Sequence, residues 1–277
     1  MDFRKTYYIL PNLFTLSSVM CGFVSVALSA AAGQTGSDLY QAALAICFGF
    51  FFDTADGRVA RLTKTQTDLG RDLDSLADAI TFGVAPALMV YKWGLTSFGR
   101  LGIFVAGLFV CAGVMRLARF NVLSRREESA GKRGPGKYTV GLSIPPAASV
   151  LVLMVIAAHN LGRYRMVSDS VLAAVVVVLS YLMVSRIKFR SFKDLRLNRR
   201  TIEMAILLIA CWVLVALNGV DKALIFLVLI TAYILLGLAE TLLIMRRQFI
   251  DKRRERNQPP EDLGDDDVLR ALGAFDP

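Results

Sequence analysis

The chain has 277 residues, 55% of them hydrophobic and 20% charged, against about 45–50% and 25% in soluble domains. Its net charge is +9 and its mean hydropathy is +0.52. These values exclude intrinsic disorder and a collagen-like fibre, and they point to a membrane protein. The four cysteines, Cys21, Cys47, Cys111 and Cys211, lie singly inside apolar runs, which excludes a disulfide scaffold and a zinc pattern and suggests buried, reduced thiols.

A helix crossing the hydrocarbon core needs about 20 mostly apolar residues. About eight stretches qualify: Asn12–Ala32, Leu39–Val59, Leu73–Tyr91, Leu101–Val122, Leu142–Asn160, Ser168–Val184, Thr201–Leu217 and Lys222–Met245. The predicted fold class is therefore an all-α polytopic membrane protein. Arg4 and Lys5 precede the first stretch, but it is long for a signal peptide and leads into another span, so it is expected to be retained. Residues 1–247 form the predicted transmembrane catalytic domain. Residues 248–277, with Pro259-Pro260 and the run Asp265 to Asp267, form a charged tail expected to be mobile.

Lys and Arg fall unevenly between the connecting segments. With the N-terminus placed in the cytoplasm, 27 of the 32 lie in cytoplasmic segments. The positive-inside rule then puts both termini on that side, in an inner-membrane orientation. The basic face would also attract anionic headgroups. Nucleic-acid binding is not expected, since aromatic interleaving and a recognition module are lacking.

The chemistry concentrates between Phe51 and Ala85. Asp53 and Asp56 lie three residues apart at the end of the second predicted span, and Asp74 and Asp78 four apart at the start of the third. On helices, each spacing puts a pair on one face. The connecting segment is short, so the two helices must be antiparallel neighbours whose pairs can converge. Four carboxylates so placed repel one another, and each is costly near the bilayer. Divalent cations remove both penalties, and an all-oxygen set favours Mg²⁺, Mn²⁺ or Ca²⁺ over zinc. The plainer alternative, interfacial carboxylates paired with Arg58, Arg61 and Arg71, explains neither the number nor the spacing.

The run Asp53-x-x-Asp56-Gly57-x-x-Ala60-Arg61, then eight residues, Gly70, three residues, Asp74, three residues and Asp78 resembles the CDP-alcohol phosphatidyltransferase motif at every fixed position. The resemblance implies that family's fold and a two-metal transferase acting on a CDP-linked lipid at the cytoplasmic interface. It makes Asp53, Asp56, Asp74 and Asp78 metal-site residues, using two Mg²⁺ or Mn²⁺ ions, with Asp78 also the general base. It places Asp56, Gly57, Ala60, Arg61, Gly70, Asn12 and Thr15 near the nucleotide donor, and it implies a homodimer. Independently, Gly57 allows close approach to the backbone. Arg61 offers a fork for phosphate oxygens, though it also serves positive-inside topology.

Further stretches resemble the serine-using branch: PNLFTLSSVMCGF at Pro11–Phe23, MRLARFN at Met115–Asn121, YTVGLSIPPAA at Tyr138–Ala148 and MVSRIKFRSFK at Met183–Lys193. CDP-diacylglycerol and L-serine are then the implied substrates, with glycerol phosphate or inositol phosphate as alternative acceptors. Ser143 departs from the pattern, which has proline there. A zwitterionic acceptor calls for a fixed cation. Arg116 and Arg119, on one helical face with Asn121 just beyond, are candidates for the acceptor or a phosphate, or else ordinary interfacial anchors. The lone histidine, His159, lies near the other membrane face and is given no catalytic role. A cation-coupled transporter is the competing class, against which the charges cluster at one interface instead of the midplane.

Overall fold

The computed structural model describes residues 3–31, 37–63, 67–129, 138–162, 167–185, 187–190, 221–232 and 234–235. The predicted seventh span at Thr201–Leu217 and the tail after residue 247 lie outside the described residues. Helix α1 runs Phe3–Ala31 and α2 runs Ser37–Thr63. A continuous helical run follows: α3 (Asp68–Asp78), a π-helical turn (Ala79–Val84) and α4 (Ala85–Trp93). A short 3-10 turn at Leu95–Phe98 leads into α5 (Arg100–Ser129). Then come α6 (Ile144–Asn160), α7 (Asp169–Val184) and α8 (Lys222–Ala232).

Three helical segments among the described residues are long and apolar enough to cross a membrane: Pro11–Ala31, Asp68–Trp93 and Arg100–Arg126. Helices α6, α7 and α8 are apolar but shorter. Helix α2 has the length, with 27 residues, but Asp53, Asp56, Arg58 and Arg61 crowd its last turns. The motif itself dilutes the helix that carries it.

Two short strands depart from the all-α expectation. Tyr138–Val140 (β1) and Lys188–Arg190 (β2) pair antiparallel, with Thr139 opposite Phe189. They tie the segment before α6 to the segment after α7. Gly141 continues the link: its N–H donates to the Ile187 carbonyl at 2.8 Å, and its φ is +78°. That conformation suits glycine, and a Cβ there would clash with the Met183 carbonyl oxygen.

Helix α1 lies along α2, and the π turn wedges against both. Thr81 donates to the Ser18 carbonyl at 2.9 Å, while the Ser18 hydroxyl contacts the Gly49 carbonyl at 3.3 Å. The wedge fits because two glycines face it. A Cβ on Gly22 would lie 2.9 Å from the Thr81 Cα, and one on Gly49 would lie 2.5 Å from its Cγ2. Small residues let helices approach in this way when lipid supplies no hydrophobic drive. Pro86 accounts for the wide turn. It has no N–H to donate within the helix and its ring crowds the preceding turn, and Ala85 N–H reaches back five residues to Ile80. Phe50 stacks on Phe82 at 4.3 Å beside the junction.

The wedge predicts a rescue. Gly49→Ala should destabilise the protein by about 1–3 kcal/mol through overpacking. Adding Thr81→Ser, which deletes Cγ2 and keeps the hydroxyl, should restore most of the loss. Thermal-unfolding midpoints of the two variants in detergent measure this, and a double variant no more stable than Gly49→Ala would refute the contact.

Candidate active site

Helix geometry sets the first half of the site. Asp53 and Asp56 share a face of α2 near its C-terminal end, one turn apart. Thr67 starts α3 by accepting a hydrogen bond from the Gly70 N–H at 3.0 Å, a standard N-cap. That start puts Asp74 and Asp78 one turn apart on α3. The side chains converge as the spacing predicts: one carboxylate oxygen each from Asp53, Asp56 and Asp74 lie within 4.8 Å of one another. Asp78 adjoins Asp53 and Asp74, and its Oδ1 is buried without a hydrogen-bond partner.

The fit to a divalent cation is direct. Oxygen ligands sit about 2.0–2.6 Å from Mg²⁺ or Ca²⁺, so ligands of one ion lie up to about 4–5 Å apart. The three oxygens meet that limit. An acidic cluster with no neutral nitrogen or sulfur donor selects a hard cation. The orphaned Asp78 oxygen marks a further acceptor at the edge of the cluster.

Helix α1 orients this cluster. Asp56, 5% exposed, accepts a hydrogen bond from the Thr15 hydroxyl at 2.7 Å and another from the Gly57 N–H. Thr15 also contacts the Pro11 carbonyl at 3.1 Å. Asn12 lies beside Gly70, where a Cβ would come 3.6 Å from its side-chain oxygen and 3.2 Å from Thr67 Oγ1. Thus Asn12, Thr15, Asp56, Gly57 and Gly70 form one neighbourhood. Ala60 is half-buried one turn after Asp56. The Arg61 side chain lies outside what is described.

Helix α5 closes the other side. Arg116 is only 7% exposed, lies within electrostatic reach of Asp78, and stacks over the Phe120 ring at 5.3 Å. Its Nη2 donates to the Ser143 hydroxyl at 3.0 Å, while its Nε is buried and unpartnered. Arg119 points elsewhere and reaches the Ser185 carbonyl at 3.4 Å. Asn121 donates to the Ser75 hydroxyl at 2.9 Å, tying α5 to α3. Arg125 pairs with Asp72 at 2.6 Å on the surface. His159 stacks on Tyr40 at 4.1 Å, near the opposite ends of α6 and α2.

Of the sequence candidates, the structure gathers the four aspartates, Thr15, Gly57 and Arg116, with Asn12 and Gly70 alongside. Arg119 and Asn121 serve as links between helices. Sequence reasoning missed Thr81, Ser75, Ser185 and the bond made by Ser143. Only Ser143 carried a signal, as a departure from pattern.

The CDP-alcohol phosphatidyltransferase family matches residues 8–187. The chain belongs to that family. Relatives extend the match. A protein of Helicobacter pylori named CDP-diacylglycerol--serine O-phosphatidyltransferase is 33% identical over 250 residues, covering 89% of this chain and 97% of the relative. A protein of the same name from Bacillus subtilis is 32% identical over 184 residues, 66% of this chain and 91% of its own. An archaetidylserine synthase from Methanothermobacter thermautotrophicus is 34% identical over 192 residues, 68% and 72% respectively. The two acidic pairs stand on consecutive helices, α2 and α3, within the matched residues.

Partners that orient a ligating carboxylate typically govern affinity by about 10–100-fold. Thr15→Val keeps the shape and removes the bond to Asp56. Mn²⁺ affinity, followed by the loss of its free-ion electron-spin signal, should fall within that range, and Thr15→Ser should retain most of it. Equal affinity in all three proteins would separate Thr15 from the cluster.

Proposed function

We propose that the protein transfers the phosphatidyl group of CDP-diacylglycerol to L-serine, giving phosphatidylserine and CMP. The observation that carries the reading is the convergence of Asp53, Asp56 and Asp74 with Asp78 beside them and Arg116 facing. The relatives' names support serine as acceptor, and so does a buried guanidinium with a free Nε, which suits a carboxylate.

Asp53, Asp56, Asp74 and Asp78 would hold two Mg²⁺ or Mn²⁺ ions, whose charge would offset that building on the phosphate oxygens during displacement. Thr15 and Gly57 fix the Asp56 carboxylate before substrate arrives, so little reorganisation is left for the reaction. The donor's nucleotide lies along Asn12, Gly57, Ala60, Arg61 and Gly70. Arg116 holds the carboxylate of serine and thereby aims its hydroxyl at Asp78. Asp78 takes the hydroxyl proton. The serine oxygen bonds to the phosphatidyl phosphorus as the bond from phosphorus to the bridging oxygen breaks, and CMP departs with that oxygen. One displacement inverts the configuration at phosphorus.

The helix ends support the cytoplasmic placement of the site. Thr15 and Asp78 lie in the first halves of α1 and of the Asp68–Trp93 run, and Asp56 and Arg116 in the second halves of α2 and α5. Ser143 and Ser185 lie at the start of α6 and the end of α7, so all six are toward the side that an alternating topology makes common to them. Bonds between these ends link α1 to α2, and α5 to the segments flanking α6 and α7. This is the side on which the charge distribution places both termini.

Purified protein should release CMP from CDP-diacylglycerol with L-serine and not with glycerol phosphate or inositol phosphate. Excess chelator or Asp53→Asn should reduce release to background, and Asp78→Asn should lower kcat far more than it weakens donor binding. Release with a phosphorylated alcohol and not serine would overturn the acceptor. For sidedness, in a chain without native cysteines, Arg126→Cys should react with an impermeant label only from the cytoplasm, and Thr96→Cys only from outside. The reverse pattern would overturn the orientation.

A further inference from the structure

Ser143 directly precedes α6, and its backbone angles (φ −67°, ψ 147°) are those of a helix N-cap. Such a serine ordinarily accepts a hydrogen bond from the N–H two or three residues on. Here those residues are Pro145 and Pro146, which have no N–H to give. The hydroxyl accordingly makes no capping bond. It accepts from Arg116 Nη2 at 3.0 Å instead.

The backbone around Ser143 leaves it little freedom. The Leu142 N–H donates to the Leu182 carbonyl at 3.1 Å, and the Leu142 and Ile144 side chains are buried. Gly141 and the strand pair anchor the same segment to the end of α7. Ser143 is therefore an acceptor on a fixed backbone, and Arg116 reaches it from α5 with a long side chain. The Arg116 Nε and the Asp78 Oδ1 are both buried and both unpartnered, and the two side chains lie within electrostatic reach of each other. Opposite charges in such surroundings would close on each other unless one were held back.

We infer that Ser143 is a positioning residue, tethering the Arg116 guanidinium so that Nε faces the acceptor's anionic group and stays clear of Asp78. This rests on the serine-transferase reading above and deepens it. Its two parts are specificity and availability: Arg116 is aimed at a carboxylate, and Asp78 remains open to a hydroxyl. Without the tether Arg116 closes on Asp78 in the free enzyme, and the acceptor must break that pair before it can bind. The cost therefore falls on KM for the acceptor, while kcat, read with the acceptor already bound, stays nearly unchanged.

The test is steady-state CMP release by the full-length protein in detergent, with L-serine and with serinol, which lacks the carboxylate. Ser143→Ala should raise KM for L-serine about tenfold, equivalent to about 1.4 kcal/mol. KM for CDP-diacylglycerol should not move, and the preference for L-serine over serinol should fall by a similar factor. Ser143→Thr, which keeps a hydroxyl, should stay close to the parent. Should Ser143→Ala fail to fold, Ser143→Pro fits the observed φ and should show the same KM shift. A lowered kcat with KM for L-serine unchanged, or Thr behaving as Ala does, would overturn the assignment. If the unmodified protein uses a phosphorylated alcohol, the acceptor reading fails by itself. The Ser143 variants are then read on the KM for that alcohol, with the same two outcomes.

Discussion

Mutual repulsion among four carboxylates on two neighbouring helices is the constraint to which the rest of the molecule answers. Asp53, Asp56 and Asp74 bring oxygens within 4.8 Å, and Asp78 adjoins two of them. Left alone, such a cluster would push α2 and α3 apart. Close packing opposes that about one turn away, where Thr81 is held between Gly22 and Gly49 and anchored to the Ser18 carbonyl. Hydrogen bonds from Thr15 and Gly57 and the charge of Arg116 act at the cluster itself. The crowding of these carboxylates fits the cluster to the divalent cations proposed for it.

The same demand shapes the helix that bears the first pair. A span made uniformly apolar would insert well and ligate nothing, so α2 gives up hydropathy in its last turns. Helix α1 compensates by lying along it and placing Thr15 and Ser18 on the facing side. The π turn has a similar logic. Pro86 forbids one regular bond, and the wider turn that results lets Thr81 enter the junction directly below Asp78. A break in the regular helix thus sits one residue from a proposed catalytic group.

What the sequence revealed and what it hid divide along physical lines. Helical spacing is a backbone property, so the pairing of Asp53 with Asp56 and of Asp74 with Asp78 was legible from residue numbers. Apolar length located a helix at each of the first six predicted stretches, but only three described segments, Pro11–Ala31, Asp68–Trp93 and Arg100–Arg126, are long and apolar enough to cross a membrane. The strand pair was not legible, because three residues on each side carry no periodicity. Nor was the difference between Arg116 and Arg119. Both lie on one face of α5, three apart, yet the neighbours that separate them, Ser143 and Ser185, come from distant segments. Gly22 and Gly49 were visible as glycines, but nothing in the chain named Thr81 as the side chain they accommodate.

The distribution of the site over the helices separates reaction from selectivity. Everything in the contiguous motif belongs to α2, α3 and the segment between them, with α1 as its support. In the proposed reaction these residues address the cations, the nucleotide and the proton. The groups proposed to face an acceptor come from α5 and from the turn before α6, outside the motif. Arg116 joins the two halves, through its proximity to Asp78 and its bond to Ser143. On the proposed reading, a change at Ser143 or around Arg116 alters the hold on the acceptor while the carboxylate cluster keeps its geometry. The converse does not hold, because displacing Asp78 removes the proposed base toward which the acceptor hydroxyl points.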